Sequence, residues 1–273
     1  MRKAIPSILI NAALLLLAAA TLLPLVWMVS ASLMPAGEAN TEPPRFFPSA
    51  VTWVHYQELF TRLDLGRHFL NSFLIAATVT VISLLLNSMA GYAFAKLRFP
   101  GRDRMFAFLI AAMVIPTQIS MLPLFLVMKS LGLVNSYWGV MLPSLATILG
   151  IFLVRQYALS VPSELLDAAR IDGASEWRIY WSIVLPLCKP VLVTMGVFNF
   201  LAMWNDFMWP LIILSDDSKY TLPVALANLV GEHVQDTELM MASAVLTVLP
   251  VLLVFLILQR QYIAGITLGG VKE

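Results

Sequence analysis

Six runs of about 20 apolar residues, at 8–33, 69–94, 105–128, 137–158, 191–214 and 239–258, constrain the fold of this chain more than any other feature. A run of that length spans the hydrocarbon core of a bilayer as one helix, and a helix satisfies its backbone hydrogen bonds without water. The rest of the sequence agrees: of 273 residues, 60% are hydrophobic and 12% charged, with a mean hydropathy of +0.84. That is more apolar surface than one water-soluble core can hide, so lipid is the solvent for most of the chain. The expected fold is an all-α membrane protein of six transmembrane helices, forming one domain over 1–273. Pro24, Pro116, Pro123, Pro143, Pro210 and Pro250 lie in or near the runs, so kinked helices are expected.

Arg2 and Lys3 before the first run resemble a secretory signal, but the run is far longer than a signal's apolar core, and it reads as a retained first span. The single Cys188 rules out an internal disulfide, and no zinc ligand set replaces it, so helix packing must hold the fold. A net charge of +1 without a concentrated basic patch argues against nucleic acid as a partner.

Lys and Arg divide unevenly between alternate loops. Of the 17, twelve (Arg2, Lys3, Lys96, Arg98, Arg102, Arg104, Arg155, Arg170, Arg178, Lys189, Arg260 and Lys272) fall on one side, and five (Arg45, Arg62, Arg67, Lys129 and Lys219) on the other. The positive-inside rule then puts both termini in the cytoplasm, with the loops after the second and fourth runs. Segments 35–68 and 215–238 face outward and are too short for catalytic domains. The second carries Asp216, Asp217, Glu232, Asp236 and Glu238 against Lys219 alone, a balance that fits either a solvated turn or a docking surface.

The remaining cytoplasmic segment, 159–188, is a polar island. Pro162 and Ser163 are helix-start signals, Glu164 and Asp167 put negative charge in the first turns, and Gly173 is a stop signal. The spacing predicts a helix of about two turns with Leu165, Leu166 and Ala169 on one side and Glu164, Asp167, Ala168 and Asp172 on the other, followed by a restart at Ser175. A helix that short is not stable alone and needs a surface to pack on. Either the membrane surface or a partner with a basic groove would serve.

Asp167-Ala168-Ala169, three residues, Gly173, nine residues, Ile183, one residue and Leu185-Pro186 reproduce the spacing of the Glu-Ala-Ala loop of binding-protein-dependent ABC permeases. Asp167 stands where that family has Glu, which keeps the charge but shortens its reach by one carbon. Ala168-Ala-Arg-Ile-Asp-Gly-Ala174, Trp204-Asn-Asp-Phe-Met-Trp-Pro210, Tyr220-Thr-Leu-Pro223, Gln259-Arg260 and Gly265-Ile-Thr-Leu-Gly-Gly-Val-Lys272 resemble the carbohydrate-uptake branch. The chain is most similar there to the second, six-span permease of maltose-type importers; Glu273 replaces the usual Gly ending.

The resemblance implies the type I ABC importer permease fold and a place in the bacterial cytoplasmic membrane. It also implies a second permease subunit, two ATPase subunits that bind ATP and Mg, and an extracytoplasmic sugar-binding protein. Glu164, Asp167, Ala168, Ala169, Asp172, Gly173, Leu185 and Pro186 would form the coupling site for the ATPase, with Gly269, Gly270 and Lys272 in the tail 259–273 as a second contact. The chain itself would bind no cofactor and catalyse nothing.

Asp206 is the ionisable residue placed well inside a run, where a carboxylate is costly enough to face a cavity or a partner. Trp204, Asn205 and Trp209 add stacking and hydrogen-bonding surfaces suited to a sugar, so Trp204, Asn205 and Asp206 are candidate pathway residues. An anchor at the outer interface explains the same residues. No G-x-x-x-x-G-K-[ST] or G-x-S-x-G occurs, and His55, His68 and His233 lack metal spacing and read as surface residues. A proton-coupled carrier working through Asp206 is the alternative, although no inverted repeat is evident. The sequence leaves the sugar open.

Overall fold

The computed structural model describes residues 7–61, 64–232 and 236–270, with side chains described for 9–61, 64–228 and 236–257. The regular structure among those residues is helical, with no strand. Four helical stretches are long and apolar enough to cross a membrane: Leu9–Ala31, Leu65–Lys96, Tyr137–Leu159 and Thr237–Ile257. Two further stretches qualify only as bent pairs.

The chain divides into two compact units. The first comprises Met1–Gly66 and Ala225–Pro250. It holds α1 (Ser7–Ala31) and α2 (Val54–Thr61), and the end of α1 packs Ala31 and Met34 with Ala39, Trp27 and Met241. The most apolar window of α1 has no buried residue. Two acidic residues organise this unit from within. Buried Glu38 accepts from Arg45 at 2.9 Å and from Ser49, and Glu238, 1% exposed, accepts the Ala39 amide at 2.8 Å.

The second unit comprises Arg67–Val224 and Val251–Glu273. Its long helix α3 (Leu65–Lys96) is followed by α4 (Arg102–Ala112) and α5 (Thr117–Ser130). The run over 105–128 is kinked, as its prolines lead one to expect, but sharply: α4 and α5 meet at 106°. Pro116 accounts for the break, because its ring disfavours helical backbone at Ile115, and the chain restarts with Pro116 as extended N-cap. The run 137–158 is likewise divided, into α6 (Tyr137–Met141), a 3-10 turn containing Pro143, and α7 (Ile148–Leu159), whose N-cap Thr147 accepts the Gly150 amide.

The run 191–214 is also reshaped. After α8 (Ser163–Ile171) comes α9 (Glu176–Ile179), a wide π turn over Tyr180–Val184, and the short α10 (Leu185–Leu187). The path then bends by 76° into α11 (Lys189–Trp204), with Pro190 in its first turn, where no helical amide bond is lost. α11 stops at Trp204 and α12 (Met208–Ile213) restarts beyond it. Pro210 lacks the amide that would bond the carbonyl four residues back, so a continuous helix fails at 205–207. α13 (Leu222–Glu232) and α14 (Thr237–Gly270) complete the described chain; α14 continues past residue 258.

Small residues and buried amides set the helix crossings in this unit. A Cβ on Gly91 of α3 would lie 2.7 Å from Val154 of α7, so only glycine permits that approach. Asn87, fully buried, donates to Ser83 and Thr147 and accepts the Thr147 amide, while Asn199 of α11 donates to Ser83. Close glycine contacts joined to polar side-chain bonds are the usual means of association where lipid removes the hydrophobic drive between helices.

The histidines differ from expectation. His55 and His68 are each 3% exposed, with ring nitrogens on the carbonyls of Met34 at 2.9 Å and Tyr220 at 3.1 Å. They are interior tethers rather than surface residues. His233 lies outside the described residues.

Candidate coupling helix and its platform

The helix expected from the polar island forms as α8, with Pro162 as extended N-cap, Glu164 in the first turn and Arg170 in the last. Gly173 ends it in the left-handed region at φ +81°. Its amide bonds to Arg170 O at 3.0 Å and the Ala174 amide to Ala169 O at 2.9 Å, the paired bonds of a Schellman end. Ser175 then caps α9 by accepting the Arg178 amide.

One side of α8 is fixed to the chain. Leu166, 1% exposed, enters an apolar cluster with Tyr92, Ala95, Ala158, Val161, Ile179, Tyr180, Val184 and Cys188, and half-buried Ala169 packs on its edge. Burying one such leucine contributes about 1.5–3 kcal/mol. Leu165, expected on the same side, is instead 45% exposed, and Ile171 is 86% exposed. With Ala168 also exposed, residues 165, 168 and 171 form an outward stripe at helical spacing, flanked by Glu164, Asp167 and Asp172.

A polar brace fixes the helix from its side. Arg170 donates from Nη1 to Asp167 at 2.7 Å and from Nε to Glu176 at 2.8 Å, and the Tyr92 hydroxyl of α3 donates to Glu176 at 2.5 Å. The guanidinium holds Glu176 below the ordinary carboxylate range, against opposing burial and with help from Tyr92. Glu176 in turn pushes Arg170 further up. Lys96, at the end of α3, donates to Val161 O at 2.6 Å and holds the turn before α8. Asp167 is thus already engaged by its own chain, with its side chain 63% exposed. Leu185 is half-buried against the same apolar cluster, and Pro186 is exposed in α10. Sequence reasoning missed the brace on its far side: Glu176 and Arg170 are visible as neighbours, but Tyr92 is 84 residues from Glu176.

Among the described residues, the candidate pathway residues are each engaged by a different neighbour. Trp204 is fully buried, edge-on to Phe69 at 5.2 Å and stacked on Phe200 at 6.0 Å, so it offers no open face. Asn205 is exposed and donates back to Leu201 O. Asp206, half-buried, turns its carboxylate toward the Trp209 amide in the first turn of α12. Trp209 is committed through Nε1 to Gly139 O at 3.0 Å. Gly269 and Gly270 end α14, their side-chain surroundings undescribed, and Lys272 lies outside the described residues.

The acidic segment 215–238 also uses carboxylates within the chain. Asp216 caps a 3-10 turn through Ser218 and lies 3.6 Å from Lys219; these contacts outweigh burial and hold its carboxyl below the usual range. Asp236 accepts the Leu239 amide at the start of α14.

The described chain thus combines bent apolar helices with a short, braced polar helix whose other side is exposed. Residues 83–267 match the family model of the binding-protein-dependent transport system inner membrane component, and the chain belongs to that family. It is 41% identical over 252 residues to the arabinooligosaccharides transport system permease protein AraQ of Halalkalibacterium halodurans, covering 91% of this chain and 90% of that protein. It is 32% identical over 277 residues to the lactose transport system permease protein LacG of Rhizobium radiobacter, covering 100% and 98%. The fold matches a chain in the crystal structure of a bacterial ABC transporter involved in the import of the acidic polysaccharide alginate, with TM-score 0.83, 24% identity, and 95% and 99% of the two chains covered. The ABC importer permease fold expected from the loop is therefore the fold observed.

Proposed function

We propose that this chain is one of two permease subunits of an ATP-driven sugar importer in the bacterial cytoplasmic membrane, supplying half of the translocation pathway. Six crossings, two of them bent, leave both termini and α8 in the cytoplasm. A different permease subunit completes the pathway, two ATPase subunits bind ATP and Mg, and an extracytoplasmic binding protein delivers the sugar. The observation that carries this reading is α8 itself: its inner side is locked by Leu166 and the Arg170 brace, while Leu165, Ala168 and Ile171 stay exposed. An exposed apolar stripe on so short a helix is the surface a partner protein covers.

ATP binding closes the ATPase dimer, draws the two coupling helices together and shifts the spans from inward-facing to outward-facing. The two packings need differ by only a few kcal/mol for nucleotide to bias them. Glu164, Asp167, Ala168, Ala169, Asp172 and Gly173 form the contact, Leu185 and Pro186 tie it to α11, and Gly269, Gly270 and Lys272 supply a second contact. Relatives named for arabinooligosaccharides and lactose support a carbohydrate as cargo.

Purification from native membranes tests this. An ATPase should co-elute with the wild-type chain and be lost from Gly173→Arg and Asp167→Lys; a wild-type chain that transports alone on a proton gradient would sink the proposal in favour of a carrier. In that case Asp206→Asn should abolish the proton-driven uptake of the lone chain.

A further inference from the structure

The loop from α3 to α4 lines an open cavity of about 460 Å³, formed by Arg98, Phe99, Gly101, Arg102, Asp103 and Arg104. Arg102 is already committed, through Nε to Asp103 at 2.9 Å and Nη1 to Leu97 O at 3.2 Å. Asp103 is the cavity's only carboxylate, and that ion pair occupies it. Arg98 and Arg104 are exposed, and among the described residues neither forms an ion pair or hydrogen bond.

Phe99 ties the cavity to an aromatic cluster. Phe99 lies 5.8 Å from Phe94, Phe94 lies 5.5 Å from Phe106, and the guanidinium of Arg155 sits 4.0 Å over the Phe106 ring. Directly after Arg104 and one turn on, α4 leaves Met105 and Phe108 exposed, Phe108 by 75%. Two unpaired guanidinium groups above an exposed apolar helix face match a molecule that is anionic at one end and apolar at the other. Guanidinium groups suit phosphate oxygens by geometry as well as charge.

We infer that this cavity binds the phosphate of an anionic phospholipid, with Arg98 and Arg104 on its oxygens and the acyl chains along Met105 and Phe108. Basic pockets at the cytoplasmic ends of membrane helices take such headgroups. The inference rests on the membrane topology proposed above but not on the coupling role of α8.

The test uses the chain purified with its partners, delipidated in detergent and titrated with phosphatidylglycerol, phosphatidylcholine or inorganic phosphate under native mass spectrometry. Wild type should bind phosphatidylglycerol in preference to the other two. Arg98→Gln should weaken that binding about fivefold and Arg98→Gln with Arg104→Gln about 25-fold, from the usual contribution of one basic residue at an anionic membrane surface. The double Lys variant, which keeps the charge, should retain most of it. Equal phosphatidylglycerol binding by wild type and the double Gln variant overturns the inference. Phosphate binding as tightly as the lipid assigns the pocket to a free anion instead. Loss of the ATPase from the double Gln variant with lipid binding unchanged makes the arginines a protein contact. Failure of the importer reading appears separately, as a wild-type chain that carries no ATPase whatever the lipid.

Discussion

Gly173 offers the sharpest test of how α8 is held. Its φ of +81° lies in the left-handed region, and a Cβ there would meet nothing within 4 Å. Substitution should therefore cost only backbone strain, about 1–2 kcal/mol for a residue with a Cβ. At about 1.4 kcal/mol per tenfold change, that is a loss of roughly 5- to 30-fold in the population of the closed helix end. Asn tolerates this region better than Ala, and β-branched Val worse. The expected order of closure is Gly, Asn, Ala, Val, read from hydrogen exchange at the Gly173 and Ala174 amides, which bond to Arg170 and Ala169. An order that follows side-chain bulk, with Asn worse than Ala in the isolated chain, would refute the reasoning, because open space around the Cβ leaves bulk nothing to act on. A bulk-ordered effect confined to ATPase retention, with exchange ordered as predicted, would place the partner surface directly over Gly173.

Two further outcomes follow from the geometry. Gly91→Ala brings its new Cβ to 2.7 Å from Val154 and 3.0 Å from the Arg155 amide, so α3 and α7 must separate at a cost of about 1–3 kcal/mol; thermal inactivation in detergent should occur at visibly lower temperature than for wild type. The Glu176 carboxyl is lowered chiefly by Arg170, so its contribution to the brace is fully present above the ordinary Glu value of about 4.3 and fades as pH falls through the lower folded value. Hydrogen exchange across 163–174, corrected for intrinsic rates, should therefore be flat from pH 6 to 8, and a mid-range transition there would show that another group controls the brace.

The length and apolarity of the runs revealed the membrane class, and cap chemistry revealed α8 almost to the residue, because both signals are local. The breaks were less legible. Pro116 and Pro210 announce kinks, but whether a helix bends slightly or turns by 106°, as α4 and α5 do, depends on what packs beside the break. Leu165 was misassigned for a related reason: projection at 100° places it beside Leu166, but the cluster around Tyr92 and Ile179 admits only one of the two leucines. His55 and His68 read as surface residues because they lack metal spacing and lie in an inter-span segment, and the carbonyls they bond come from residues 21 and 152 positions away. Asp206 carried the signal of a buried charge, yet a helix restart at Met208 gives that charge a local use.

The way α8 is attached decides where a displacement applied to it must go. Leu166 alone would let the helix slide, since apolar contact is non-directional. The Glu176 to Tyr92 bond and the Lys96 to Val161 bond are directional, and both run to α3. α3 in turn reaches Thr147, at the start of α7, through Asn87, and Asn199 on α11 through Ser83. A pull on α8 is therefore carried first into α3 and then into two neighbouring helices, before the bend at Cys188 can absorb it. In this arrangement the brace, more than the covalent path through α10, is the mechanical link, so Tyr92→Phe should reduce coupling of ATP hydrolysis to uptake while leaving ATPase retention intact. Equal loss of retention and coupling would mean that Tyr92 only holds α8 in shape, and that the covalent path carries the force.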